Sequence, residues 1–191
     1  MSVIAIRVTE QHVEMAVDSD TSYGDVRVSR AISIADQKLW ASNEMMVAFV
    51  GMSSLGSILR RWTRENAPEG PDETSICQYV DQFHAWRRDT FPDSGDIDEV
   101  SFVLAYRGRA WVVDAYSVSA VPQGGYFAHG SGMCVALGAL HHGATAEEAA
   151  LAACQHDGGC GLPVVVGMMG EAAIGGTIEF LQDHAAPLRP L

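Results

Sequence analysis

The chain is short of basic residues: 12 Lys and Arg stand against 24 Asp and Glu, a formal charge of -12. Phosphate contacts need clustered Lys and Arg, so this balance argues against nucleic acid or an anionic membrane as a partner. The basic pair Arg60-Arg61 beside Trp62 falls on a predicted helix and reads as its solvated face. Cysteine is also scarce. Cys77, Cys134, Cys154 and Cys160 form no CxxC pair, and the N-terminus lacks a basic region followed by a leader-length apolar run. The expectation is a reduced, cytoplasmic protein. No stretch reaches the roughly 20 apolar residues of a membrane helix, and there is no low-complexity segment or solenoid period. His141-His142, with His129, His156 and His184 elsewhere, lacks a ligand spacing such as HExxH; no metal and no cofactor is expected. Asp18-x-Asp20-x-Ser22 opens like a calcium loop, but Gly24 falls one place late and Ser29 stands where the bidentate Glu belongs.

What is present is enough apolar residue for a core. Of 191 residues 48% are hydrophobic, which suits one domain, placed at 1–182 with a polar, Pro-containing tail over 183–191. The N-terminal stretch reads as a hairpin: Val3 to Val8 and His12 to Asp18 are rich in apolar and β-branched residues, and Thr9-Glu10-Gln11 is polar. Counting outward from that loop pairs Val8 with His12, Ile4 with Ala16 and Ser2 with Asp18. This places Ile4, Ile6 and Ala16 on one face and Val3, Ala5, Met15 and Val17 on the other, with a wetter far end at Arg7, His12 and Glu14.

A third strand is predicted from Val26 to Ile34, then a short hairpin of Lys38–Trp40 and Met45–Val50. Gly51 ends it, and Ser53-Ser54 opens a helix carrying Leu55, Ile58, Leu59 and Trp62. A second helix is predicted from Ser75, with Gln78 completing a capping box, to about Pro92; Asp93 to Asp98 is an acidic loop. Ser101–Tyr106, Ala110–Ala115 and Tyr116–Val121 form a meander, closed by a Gly124-Gly125 turn. One helix follows His129-Gly130-Ser131-Gly132, and another runs from the capping box Thr145-x-x-Glu148 to about His156. Leu162–Met169 and Thr177–Leu181 close the chain as a hairpin. The order of strands, helix pair, strands, helix pair, strands predicts an α+β fold: a four-layer αββα sandwich of two facing antiparallel sheets flanked by helices.

A serine hydroxyl needs a nearby base to act as a nucleophile. If Met1 is removed, Ser2 gains a free α-amine, whose reference pKa of about 7.7 to 8.0 makes it a usable base near neutrality. Lys38 would depress that amine further, Asp18 would hold Lys38, and the Gly51 N–H could serve an oxyanion at a strand end. Gly51-x-Ser53 after an apolar strand also suggests the nucleophile elbow of α/β-hydrolases. Leu55 occupies the place of its second Gly, however, and the strands do not alternate with helices.

These residues carry a resemblance. Ser2-Val3-Ile4-Ala5-Ile6 resembles the start of proteasome β-type subunits, where Thr is usual, and Ala16-Val17-Asp18-Ser19 resembles their A-x-D-S strand end. Gln37-Lys38-Leu39, Ala48-Phe49-Val50-Gly51, Gly130-Ser131-Gly132 and Asp157-Gly158-Gly159-Cys160-Gly161 are similar to the catalytic-lysine, oxyanion, G-S-G and D-x-x-S-G segments, in that order. The chain thus resembles the N-terminal-nucleophile hydrolases, and most of all their compact bacterial members, HslV and the betaproteobacterial proteasome homologues. The resemblance implies a peptidase working on polypeptide substrates inside a homo-oligomeric double ring, with an AAA+ ATPase unfoldase as a possible partner. It implies Ser2, Asp18, Lys38, Gly51, Ser131, Asp157 and Cys160 as the catalytic set. Thr21, Trp40, Phe49 and Ser53 are the expected substrate-binding residues, Trp40 and Phe49 as an apolar pocket. Two departures stand out: Ser replaces Thr as nucleophile, and Cys160 stands where Ser is usual. The competing expectation is a catalytically silent ring subunit that retains Met1.

Overall fold

In the computed structural model, residues 2–23, 26–28, 38–94, 100–170 and 179–181 are described. Two five-stranded antiparallel sheets face each other. The first has the order β10 (Tyr126–Gly130), β1 (Val3–Val8), β2 (His12–Asp18), β11 (Val164–Gly170), β12 (Glu179–Leu181). The second runs β5 (Leu39–Ser42), β6 (Met45–Phe49), β7 (Ser101–Tyr106), β8 (Arg109–Asp114), β9 (Ser117–Val121). A two-stranded ribbon of β3 (Thr21–Tyr23) and β4 (Val26–Val28) stands apart from both. The predicted continuation of that third strand to Ile34, the acidic loop beyond Ser94, the start of the last strand at Thr177 and the tail over 183–191 lie outside the described residues.

Three cores fix the layers. Ile4, Ile6, Met15 and Val17 meet Met46, Ala48 and Val103 between the sheets. Leu55, Leu59 and Trp62 of α1 (Ser53–Glu65) and Ile76, Tyr79 and Phe83 of α2 (Glu73–Thr90) cover the second sheet. Ala-rich α3 (Met133–His141) and α4 (Ala146–His156) cover the first, over Val3, Ala5 and Ala16. Small side chains let these helices lie close to the strands. The four-layer sandwich is therefore the observed architecture.

The hairpin register differs from the expectation by one residue. Val8 pairs with Val13 and Ile4 with Val17, because Thr9 leaves the expected loop and faces His12, so that Glu10-Gln11 alone make the turn: the Thr9 N–H and hydroxyl both donate to the His12 carbonyl, at 2.8 and 2.9 Å. The slip moves Met15 and Val17 onto the face of Ile4 and Ile6, and Ala16 onto that of Val3 and Ala5. Asp18 thereby comes opposite Val3 rather than Ser2.

Glu14 is also not at a wet end; it is 8% exposed. Its carboxylate accepts from the N–H groups of Ala146 and Glu147, at 3.1 and 3.5 Å, in the first turn of α4. Its cross-strand neighbour Arg7 donates to the Gly143 and Ala144 carbonyls in the turn before it. The pair fastens the helical layer to the sheet. Glu14→Ala is expected to destabilise the protein by about 1.5–3 kcal/mol, the range for hydrogen bonds to a charged group, read as a lower midpoint of urea unfolding.

Other element ends follow local chemistry. The N-cap of α2 lies three residues earlier than predicted, at Asp72 and not Ser75: the Ser75 N–H and hydroxyl both donate to the Asp72 carboxylate, at 3.0 and 2.7 Å. The Thr145–Glu148 capping box of α4 forms as predicted. The sequence reading gave Tyr126–Gly130 no strand, yet it becomes β10, since β1 needs a partner on its free edge.

Candidate active site

Ser2, a residue 6% exposed, immediately precedes β1. Lys38 precedes β5 in the other sheet, held there because its carbonyl accepts from the Phe49 N–H at 2.8 Å. The Lys38 ammonium donates to Ser2 Oγ at 2.8 Å and to Asp18 Oδ1 at 2.9 Å. One cation thus bridges the hydroxyl to a carboxylate, and neither pairing needs Ser2 and Asp18 to be strand partners.

Asp18 is fully buried. Besides Lys38 it accepts from the N–H groups of Val3 (3.0 Å), Asp20 (3.3 Å) and Gly161 (3.3 Å). The register slip has a use here, since it brings the Val3 N–H to the carboxylate. Burial pushes the Asp18 pKa above its ordinary 3.8, and Lys38 and the N–H donors oppose the rise. Its folded-state pKa thus lies above the unfolded value. Charging Asp18 costs folding stability as pH rises from 3.8 to that raised pKa, and acid below it strips Lys38 of its counter-ion.

On the other side of Ser2, its nitrogen donates to Ser131 Oγ at 3.2 Å. Ser131 has one proton to give, and both Asp157 Oδ1 (3.2 Å) and the Ser2 carbonyl (3.4 Å) are in reach. Asp157 is fixed in turn by the Gly159 N–H, at 2.8 Å. Cys160 is 2% exposed, with Sγ 3.6 Å from Asp157 Oδ1 and 4.0 Å from Ser131 Oγ. Burial, with Asp18 nearby, pushes its pKa up to about 11, so it is a neutral thiol making long contacts. Gly130 and Gly132 have separate reasons to lack side chains. At Gly130 (φ 95°) a Cβ would lie 2.3 Å from the Ser2 carbonyl oxygen, and at Gly132 it would lie 2.7 Å from Cys160 Sγ.

No family model and no curated protein sequence matches the chain. Solved structures do. BPH from Thiobacillus denitrificans in complex with epoxomicin superposes with a TM-score of 0.78 at 20% identity, over 89% of this chain and 99% of that one. The chain has the proteasome-like, N-terminal-nucleophile hydrolase fold. A second structure of Thiobacillus denitrificans BPH gives 0.77 at 19% identity, over 90% and 99% of the two chains. Eukaryotic HslV from Trypanosoma brucei gives 0.66 at 16%, over 88% and 99%.

Within this BPH- and HslV-like fold, Ser2, Asp18, Lys38, Ser131, Asp157 and Cys160 form one connected cluster. Gly51 lies two residues beyond the Phe49 that binds Lys38; it is exposed, and its φ of 142° favours glycine. Thr21 is buried at the start of β3, and Ser53 is half-buried as the first residue of α1. Trp40 and Phe49 depart from the expected apolar pocket. They are 4% and 5% exposed and belong to the core beneath the helices. Trp40 Nε1 donates to Thr63 Oγ1, and the Phe49 ring packs on Gly56 of α1. Alternation along β5 and β6 turns both toward the helices, which a reading of hydrophobicity alone does not separate from a pocket. The sequence reading also gave no role to Met52 and Leu162, exposed apolar residues next to Gly51 and Gly161. Exposure is invisible in composition.

Proposed function

We propose that this chain is a proteasome-like peptidase subunit in which Ser2, made N-terminal by removal of Met1, attacks the peptide carbonyl. The contact that carries the reading is the Lys38 bridge, 2.8 Å to the Ser2 hydroxyl and 2.9 Å to buried Asp18. While Met1 is attached, the Ser2 nitrogen is an amide, its lone pair delocalised, and it is no base. Once freed, the same nitrogen beside Ser131 takes the Ser2 hydroxyl proton, through water, as Oγ bonds to the carbonyl carbon. The cation of Lys38 lowers the hydroxyl and amine pKa values, and Asp18 keeps that cation in place. The Gly51 N–H stabilises the oxyanion. The peptide C–N bond then breaks, the amine leaves with the proton, and water hydrolyses the ester on Ser2.

The fold shared with BPH and HslV supports assembly into a homo-oligomeric ring enclosing Ser2, with an ATPase unfoldase supplying polypeptide. Hydrolysis of short peptides by purified protein, together with electron microscopy, tests this reading: peptidase rings are expected, and a monodisperse monomer without peptidase activity contradicts it. The pH profile gives a second check. Because Asp18 must be charged to hold Lys38, kcat is expected to fall in acid with a midpoint above 3.8. A profile flat down to pH 3.8 would remove Asp18 from the mechanism.

A further inference from the structure

Among the described residues the edge strand β10 pairs with β1 alone, so its other side needs an anchor. Its residues alternate. Ala128 faces the α3–α4 core and Phe127 the core between the sheets. His129 follows Phe127 into that gap, where its Nε2 lies 3.0 Å from Ser101 Oγ at the start of β7 in the opposite sheet. Ser101 Oγ is also 3.3 Å from the Val113 carbonyl oxygen, which can only accept. The hydroxyl proton therefore goes to Val113, and His129 Nε2–H donates to Ser101, an order that assigns the tautomer from the network. Ser101 is thus a relay between sheets and not an activated nucleophile.

The three residues after His129 all lie against Ser2. Gly130 leaves no space for a Cβ over the Ser2 carbonyl, Ser131 Oγ accepts from the Ser2 nitrogen, and the Gly132 N–H donates to the Ser2 carbonyl at 3.3 Å. We propose that His129, tied through Ser101 to the opposite sheet, is a positioning residue that holds the Gly130–Gly132 turn against Ser2. In the sequence His129 stands only among histidines that lack a metal-ligand spacing. The consequence for turnover rests on the peptidase reading; the consequence for the turn does not.

Two readouts on the full assembly separate them. Ser101→Ala and His129→Ala are each expected to lower kcat about tenfold with KM within about twofold, the size expected for one lost hydrogen bond. The double variant is expected to be no slower than the worse single one, because both remove the same link. His129→Gln, whose amide can still donate to Ser101, is expected to recover most of the rate. In parallel, amide exchange at Gly132 is expected to quicken about tenfold in Ser101→Ala and to stay near parental in His129→Gln. Parental Gly132 exchange in Ser101→Ala overturns the positioning role whether or not the protein hydrolyses peptides. Additive losses in the double variant overturn it as well. Absence of peptidase activity in the parental protein overturns the peptidase reading alone, and the exchange rates then decide the role of His129.

Discussion

Ser2→Ala is expected to lower peptide hydrolysis about 10³- to 10⁶-fold while leaving assembly and secondary structure unchanged, the scale seen when a nucleophile is removed from a site whose parts act together. The substitution removes the atom that receives the Lys38 hydrogen bond at 2.8 Å, and no other hydroxyl of the described cluster takes its place. Ser131 Oγ is committed to Asp157 and to the backbone of Ser2. Ser2→Thr keeps the hydroxyl and adds a methyl that restrains χ1, so it is expected to hydrolyse peptides at least as fast as the parent. Measurement of kcat on a fluorogenic peptide, with circular dichroism and sedimentation as controls, checks both. A Ser2→Ala protein with parental kcat would end the nucleophile assignment.

The second large effect is expected at Lys38. Lys38→Met removes the cation that bridges Ser2 and Asp18, so hydrolysis is expected to fall with that of Ser2→Ala. It also leaves Asp18 buried with its charge uncompensated. The side-chain exposures are 11% for Lys38 and 0% for Asp18. Breaking one side of a buried pair costs about 3–5 kcal/mol, whereas replacing both partners by neutral groups costs far less. Lys38→Met is therefore expected to be much less stable than the double variant Asp18→Asn, Lys38→Met, though both are inactive. Thermal unfolding at one fixed protein concentration compares them without mixing in assembly effects. Below the raised pKa of Asp18 the carboxyl is neutral, so the deficit of Lys38→Met is expected to shrink in acid. Equal stability of the single and double variants at neutral pH would show that the ion pair does not hold the site.

Much of this was legible in the sequence because local signals agreed with the global fold. Apolar, β-branched runs bounded by turns gave β1, β2, β6 and β7, helical stripes at Leu55, Leu59 and Trp62 gave α1, and Thr145-x-x-Glu148 gave the start of α4. The residues around Ser2 were found through the order of segments that resemble one family. What stayed hidden depends on long-range contacts. The hairpin register turned on whether Thr9 belongs to the loop, which its own hydrogen bonds to His12 decide. Glu14 read as solvent-exposed because its partners, the N–H groups of α4, lie 132 and 133 positions away. Trp40 and Phe49 read as pocket walls because an apolar residue on a strand looks the same whether its face meets a cleft or a helix. His129 and Ser101 carried no signal, since a single cross-sheet hydrogen bond has no sequence spacing.

The central claim is that Ser2 acts as an N-terminal residue, and intact mass spectrometry before and after treatment with epoxomicin, the compound bound to the Thiobacillus protein, tests it most directly. The expected result is an assembled protein lighter by one methionine residue that gains a single adduct, mapped to Ser2 by peptide sequencing. Retention of Met1 in a peptidase-active assembly, or an adduct on any residue other than Ser2, would contradict it.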